Sequence, residues 1–256
     1  MLTLYFSGTG NSKHIAEQFS AKLGAACHSI EEALDFTALI SAHEKIAVCY
    51  PIYGSRVPRI MREFAQRHAN AFQGKQLVIL ATQLIFSGDG ARVFTDLFPK
   101  GHVQVIAAAH VLMPNNVCNF IGLRQTSARR TKKMLTKAQK QIDQIASDIQ
   151  NKHINLTGVS GFSKFLGSIQ GKSWPSFELR AQRRIKISKT CNACGLCVKL
   201  CPTKNLELAN GEITHNHNCT LCLRCVNACP KQAITVMFHK KPKWQHHGLS
   251  IEEKTT

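Results

Sequence analysis

One cysteine pattern dominates this 256-residue chain because it occurs twice. The run Cys-x2-Cys-x2-Cys-x3-Cys-Pro appears at Cys191, Cys194, Cys197 and Cys201-Pro202, and again at Cys219, Cys222, Cys225 and Cys229-Pro230. Eight of the 11 cysteines fall in this stretch. The other three, Cys27, Cys49 and Cys118, sit in apolar or loop settings that suit ordinary buried thiols. Met1 runs directly into Leu2-Thr3-Leu4-Tyr5-Phe6 with no basic stretch or small-residue cleavage site, so the expected location is cytoplasmic. Thiols stay reduced there, and a dense cysteine cluster argues for metal rather than disulfides.

Two zinc sites built on Cys-x2-Cys pairs are the plain alternative. Zinc, however, does not call for a third Cys at x2 and a Cys-Pro at x3, twice over. The spacing matches that of two-cluster bacterial ferredoxins. Three cysteines around a tight turn reach three irons of one cubane, while the fourth lies beyond the turn and closes the other cluster. That logic groups Cys191, Cys194, Cys197 and Cys229 at one [4Fe–4S] cluster. Cys219, Cys222, Cys225 and Cys201 form the other set. Ala193 and Gly195 are small enough for backbone amides to approach the sulfurs. Leu206-Glu207-Leu208 and Glu212-Ile213-Thr214 flank Ala209-Asn210-Gly211, a hairpin signal. Arg184–Ser188 and Ala233–Phe238 read as outer strands. The module resembles a bacterial two-[4Fe–4S] ferredoxin over residues 186–238.

At the other end, the apolar run Leu2–Phe6 meets Ser7-Gly8-Thr9-Gly10-Asn11-Ser12, and a helical pattern follows with Ile15, Ala16, Phe19 and Leu23 on one face. Such a turn aims N–H groups and hydroxyls at an anion, aided by the helix dipole. It has no P-loop lysine and is not Gly-x-Gly-x-x-Gly, so a monophosphate ester fits better than a nucleoside triphosphate or a dinucleotide. Further buried-strand runs lie at Lys45–Tyr50, Gln76–Thr82 and Val103–Ala109, with a weaker one at Ala25–Ile30. Helices are expected from Pro58 to about Phe72, at Val93–Phe98 and from Arg124 to Lys152. Alternating strands and helices predict an α/β doubly wound parallel sheet.

The loop resembles the phosphate loop of flavodoxins, which implies FMN held by Ser7, Gly8, Thr9, Gly10, Asn11 and Ser12. In that fold the flavin ring lies at the ends of the third and fourth strands. The resemblance therefore implies ring contacts from Pro51, Ile52, Tyr53 and Gly54, and from Thr82, Gln83, Ser87 and Gly88. Tyr53 and Phe86 are stacking candidates, with plain packing as the alternative. The loop Gln83–Ala91 departs from the acidic-aromatic loop of free flavodoxins. Gly54-Ser55-Arg56-Val57-Pro58 and Met113-Pro114-Asn115-Asn116 extend the likeness. Taken whole, the chain resembles the flavodoxin–ferredoxin fusion proteins of anaerobes. The expected layout is a flavodoxin-like domain at 1–152, a linker at 153–185, the ferredoxin domain at 186–238 and a basic tail at 239–256.

This resemblance implies an electron-transfer iron–sulfur flavoprotein passing single electrons between a redox partner, two clusters and FMN. The alternative is an FMN-dependent reductase of a small acceptor such as a quinone, a nitro compound or an oxygen-derived species. No Ser-His-Asp set, carboxylate pair or Cys-His nucleophile stands out, so no separate catalytic residue is expected. The net charge is +18, and residues 151–256 hold 16 Lys and Arg against 5 Asp and Glu. Cluster thiolates remove only about four charges. Acidic redox proteins of ferredoxin or flavodoxin type, or a reductase, are the expected partners. Nucleic acid is not expected, since no binding motif accompanies the charge. The longest apolar runs fall short of the ~20 residues of a membrane span. The tail His239–His247 reads as disordered or docking, with metal binding as a minor alternative.

Overall fold

The computed structural model describes residues 1–86, 90–120, 122–156, 165, 167–169, 171–237 and 240–249. The N-terminal part runs β1 (Leu2–Tyr5), α1 (Asn11–Leu23), β2 (Ala26–Ser29), α2 (Phe36–Ser41), β3 (Lys45–Pro51), α3 (Arg59–Arg67), β4 (Gln76–Gln83), α4 (Arg92–Thr95), β5 (Gln104–Leu112), α5 (Ala128–Gln150) and β6 (Asn155–Leu156). The six strands pair in parallel in the order β2-β1-β3-β4-β5-β6. The chain steps outward from β1 to β2 and returns past β1 to β3. The carboxyl ends of β1 and β3 therefore flank the point where winding reverses, the usual position of a ligand crevice.

Alternation along the strands explains the two covered faces. Leu2, Leu4, Ile46, Val48, Leu77 and Ile79 pack with Phe36, Ile40, Met61 and Phe64 from α2 and α3. Ala47, Cys49, Val78, Leu80, Ala107 and Ala109 pack instead on Ile15 and Phe19 of α1 and Leu135, Ile142 and Ile145 of α5. The expected doubly wound sheet is thus present, with three differences. α2, which was not anticipated, is capped by Asp35, whose side chain accepts from the Ala38 N–H at 3.0 Å, and buries only Phe36 and Ile40. α5 starts four residues later than expected, at a Ser127 cap. The stretch read as a linker contributes β6 to the sheet and a helix, α6 (Trp174–Gln182).

The C-terminal module is built by internal repetition. β7 (Lys186–Ile187) pairs antiparallel with β10 (Ile234–Thr235), and β8 (Leu206–Ala209) pairs with β9 (Glu212–His215). Asn210 and Gly211, both at positive φ, turn the hairpin as the sequence predicts. Two one-turn helices, α7 (Leu196–Leu200) and α8 (Arg224–Ala228), follow the cysteine turns. Left-handed residues recur at equivalent places: Ala193 with Leu221, Gly195 with Leu223, and Lys204 with Gln232. The module's core also takes in Ala181, Trp174 and Phe177 of α6 and Cys118 from the loop after β5. Both halves of the molecule therefore share packing.

Candidate functional site

The fold gathers the eight cysteines into two sets of four. Cys191, Cys194, Cys197 and Cys229 line one hollow, with Ile187, Ile213 and Ile234 around them. Cys201, Cys219, Cys222 and Cys225 line a second, with Ile185, Leu206 and Val236. The last cysteine of each run crosses to the other set, as the spacing predicts. Four backbone N–H groups donate to sulfur in matching positions: Ala193 to Cys191 Sγ at 3.4 Å, Leu221 to Cys219 Sγ at 3.3 Å, Asn205 to Cys201 Sγ at 3.2 Å and Ala233 to Cys229 Sγ at 3.3 Å. Such bonds stabilise sulfur as thiolate.

The two sets differ in environment. Cys194 is exposed, whereas Cys219 and Cys222 are buried. Burial, with the neighbouring Cys222, pushes the Cys219 thiol up to about 12. Burial pushes Cys222 to about 11 against the opposing pull of the Arg224 guanidinium. Four thiols sharing a buried hollow need a bound cation to become thiolates, and an apolar wall with N–H donors at the sulfurs suits an iron–sulfur cluster. Among the described residues, no three His, Cys, Asp or Glu side chains gather as a site for a single metal ion.

A cavity of about 330 Å³ opens at the carboxyl ends of β1, β3 and β4. Of the predicted flavin contacts, Ser7, Gly8, Thr9, Asn11, Ser12, Pro51, Ile52, Tyr53, Gly54, Thr82 and Gln83 line it. Gly10 lies just behind the wall as the N-cap of α1, with φ 104° and its N–H donating to Ser7 Oγ at 3.1 Å. Ser87 and Gly88 lie outside the described residues. The loop is held by its own side chains. Ser12 Oγ meets Thr82 Oγ1 at 2.7 Å, Asn11 Nδ2 donates to the Pro114 carbonyl at 2.8 Å, and Asn116 Nδ2 donates to Thr9 Oγ1 at 2.8 Å. Phe86 is exposed rather than packed.

Four buried polar atoms on this wall, Asn11 Oδ1, Tyr53 Oη, Gln83 Oε1 and Trp174 Nε1, have no hydrogen-bond partner among the described residues. Unpartnered buried groups are rare in native folds, and four around one cavity fit a ligand carrying both donors and acceptors. Burial and the nearby Cys222 hold the Tyr53 phenol well above its ordinary range. It therefore stays a neutral donor.

Residues from the second half close the cavity. Trp174, Phe177, Leu221, Leu223 and Met237 form its far wall, and Leu223 also walls the Cys219 hollow. A Cβ on Gly54, at φ +53°, would run into the Trp174 ring. Arg224 clamps the contact, donating to the Ser7 carbonyl at 2.7 Å and the Gly8 carbonyl at 3.0 Å while pairing with Glu31 at 2.7 Å. It thus places a positive charge directly behind the Ser7–Ser12 turn. The tail docks as well: Gln245 donates to the Val226 and Cys229 carbonyls at 2.9 and 2.8 Å, Gly248 packs on Gly10 and Thr9, and Leu249 is buried beside Ile15 and Met113.

The family model for the flavodoxin domain matches residues 2–149. The chain belongs to the flavodoxin domain family. A second family model, for the 4Fe-4S dicluster domain, matches residues 190–234. Together they make this an electron-transfer iron–sulfur flavoprotein with a flavodoxin-like domain and an iron–sulfur domain. Similar solved structures include a flavodoxin from the domain Archaea, at 14% identity and TM-score 0.41 over 58% of this chain and 97% of that one. The two-electron reduced flavodoxin of Megasphaera elsdenii aligns at 17% identity and TM-score 0.40 over 57% and 99%. Flavodoxin 2 from Bacillus cereus aligns at 12% and 0.42 over 59% and 97%. No curated protein matches the chain. No helix among the described residues is long and apolar enough to cross a membrane.

Trp174, Leu221, Leu223, Arg224 and Gly248 are site residues that the sequence did not point out. Leu223 and Arg224 sit inside the second cysteine run, where their partners in the first run are Gly195 and Leu196. That departure from the repeat was the available signal.

Proposed function

We propose that this protein conducts single electrons between an external redox protein and an FMN held at the end of the parallel sheet. The observation that carries this reading is the shared wall at Leu223, which puts the buried cysteine hollow against the flavin cavity. When bound, FMN would supply two-electron capacity and each [4Fe–4S] cluster one-electron capacity, at a potential well below zero. Cys191, Cys194, Cys197 and Cys229 would hold the cluster nearer the surface, and Cys201, Cys219, Cys222 and Cys225 the one nearer the flavin. The main chain of Gly8–Ser12, at the amino end of α1, would hold the phosphate, with Arg224 adding charge from behind. Tyr53 and Gln83 offer the ring a donor and an acceptor, and Leu221, Leu223 and Trp174 exclude water.

The outer hollow is the entry side. Lys186, Lys189, Lys199 and Lys231 are exposed and lie within three residues of its lining side chains, and no Asp or Glu lies between Glu178 and Glu207. Such a face favours an acidic one-electron partner in the cytoplasm and makes association dependent on salt. Metal and flavin analysis of protein made without air tests the assignment. About eight irons and one FMN per chain are expected. Cys194→Ala should perturb one cluster and leave flavin content unchanged. A colourless protein containing zinc overturns the reading.

One observation favours the reductase alternative: exposed Phe120 lines the flavin cavity, and exposed Ile85 lines a neighbouring hollow that shares Leu84 and Leu123 with it. Saturable consumption of a small acceptor by the chemically reduced holoprotein supports it, and electron exchange with proteins alone opposes it.

A further inference from the structure

Resting on the reading of the main cavity as an FMN site, we infer that the hollow beside it binds a small anion carrying a flat apolar ring, an aromatic or quinonoid carboxylate or sulfonate. This hollow, of about 410 Å³, is lined by Phe120, Leu123, Arg124, Lys240, Lys241, Lys243 and Trp244 among others. Phe120 and Leu123 also line the flavin cavity, so the two spaces share a wall. The volume is in the range of small-molecule sites.

Its charge is one-sided. Arg124 comes from the segment before α5 and the three lysines from the tail, so two distant stretches converge their cations on one hollow. Neither stretch offers a counter-charge: there is no Asp or Glu between Asp96 and Asp143, nor between Glu212 and Glu252. No acidic residue lines the hollow, and none of the four cations forms an ion pair among the described residues. A neighbouring cavity of about 390 Å³ shares Arg124 and adds Arg130. Arg130 lies in the first turn of α5, which holds no acid. Cations there oppose the helix dipole, a cost that a bound anion offsets.

The floor is apolar and aromatic. Phe120 is 44% exposed and Trp244 is half-buried. A flat ring laid against Phe120 and Trp244 gains apolar contact, while its acidic group meets Arg124 and the lysines. A neutral ring forgoes the second interaction.

The test uses the oxidised holoprotein, with FMN and iron quantified first, and isothermal titration at low salt. The probes are anthraquinone-2-sulfonate and the neutral 2-(hydroxymethyl)anthraquinone. The sulfonate is expected to bind at least about ten-fold more tightly, and raising salt should erase most of that advantage. Arg124→Glu and Lys241→Glu should each weaken sulfonate binding several-fold, and together about ten-fold or more, leaving the neutral probe within two-fold. Arg124→Lys should restore most of it. FMN and iron content should stay unchanged, because both side chains are exposed and outside the flavin wall. Equal affinity for the two probes overturns the inference, as does sulfonate binding indifferent to both charge reversals. Ten-fold tighter binding of a glutamate decapeptide also overturns it, in favour of a protein-docking face. Failure of the flavin reading shows separately, as protein purified without FMN.

Discussion

The carbonyl oxygen of Cys222 sits so close to Gly8 that a Cβ on the glycine would stand 2.5 Å from it. The second cysteine turn and the Ser7–Ser12 turn therefore touch main chain to main chain. Only glycine permits that approach, since real Cβ atoms do not come so near a carbonyl. Gly8→Ala must push the cysteine module off the flavin cavity or distort the turn. FMN affinity should fall by at least about ten-fold, corresponding to about 1.4 kcal/mol. Iron content should hold, because every cysteine remains. Flavin fluorescence titration and iron analysis on one preparation check this, and unchanged flavin affinity would show that the contact is not needed.

Arg224 ties the same two turns from the side. Its guanidinium binds the carbonyls of Ser7, Gly8 and Leu200 and both carboxylate oxygens of Glu31. Arg224→Lys keeps the charge but not the planar fork, so most of these bonds are lost. We expect destabilisation of about 2 kcal/mol, the scale of a few charge-assisted bonds at a partly exposed site. Glu31→Gln should cost less, because the three carbonyl contacts survive. Denaturant midpoints of the three proteins check the order; equal midpoints for Arg224→Lys and wild type would refute the clamp.

Much of this was legible because periodicity and spacing speak to local geometry. The cysteine runs told which thiols meet, since a Cys two residues away in a tight turn has few places to point. The strands β1, β3, β4 and β5 were clear as apolar runs, being covered on both faces. The joining of the two halves was not legible. Gly8 meeting Cys222, Trp174 against Gly54 and Leu249 under α1 are contacts across more than 100 residues. They depend on shape, which no local pattern records. α6 was hidden because Trp174-Pro175 opens a helix of only nine residues whose apolar side chains face two different neighbours.

The buried thiols make a prediction for the iron-free protein. Unfolded cysteine titrates near about 8.5, whereas burial holds Cys219 near about 12 and Cys222 near about 11 in the fold. The folded state then keeps protons that the unfolded state gives up, so stability is intact below about pH 8.5 and declines as pH rises towards 11–12. In the loaded protein Cys219 and Cys222 would hold the cluster as thiolates, and the decline should vanish. Chemical denaturation of both forms at pH 7.5 and 10 measures the difference. An iron-free form as stable at pH 10 as at pH 7.5 would contradict the assigned burial.

The tail yields the last prediction. Between Gln245 and Leu249 it crosses from the carbonyls of Val226 and Cys229, over Thr9 and Gly10, to a buried anchor beside α1. His246 N–H donates to Asn227 Oδ1 at 2.8 Å, Asn227 Nδ2 to the Asn116 carbonyl at 3.0 Å, and Asn116 Nδ2 to Thr9 Oγ1. The strap and the anion-binding turn are thus joined by one chain of hydrogen bonds. Ending the chain at Trp244 removes the strap and leaves all eight cluster cysteines in place. Leu249 alone is worth about 2–3 kcal/mol of buried apolar contact, enough to make the turn markedly looser. FMN dissociation should accelerate by about ten-fold or more, with iron content preserved. Leu249→Ser should give a smaller change in the same direction. Stopped-flow release of flavin into excess apoflavodoxin reads the rate, and a truncated protein that releases FMN no faster than the full chain would separate the tail from flavin retention.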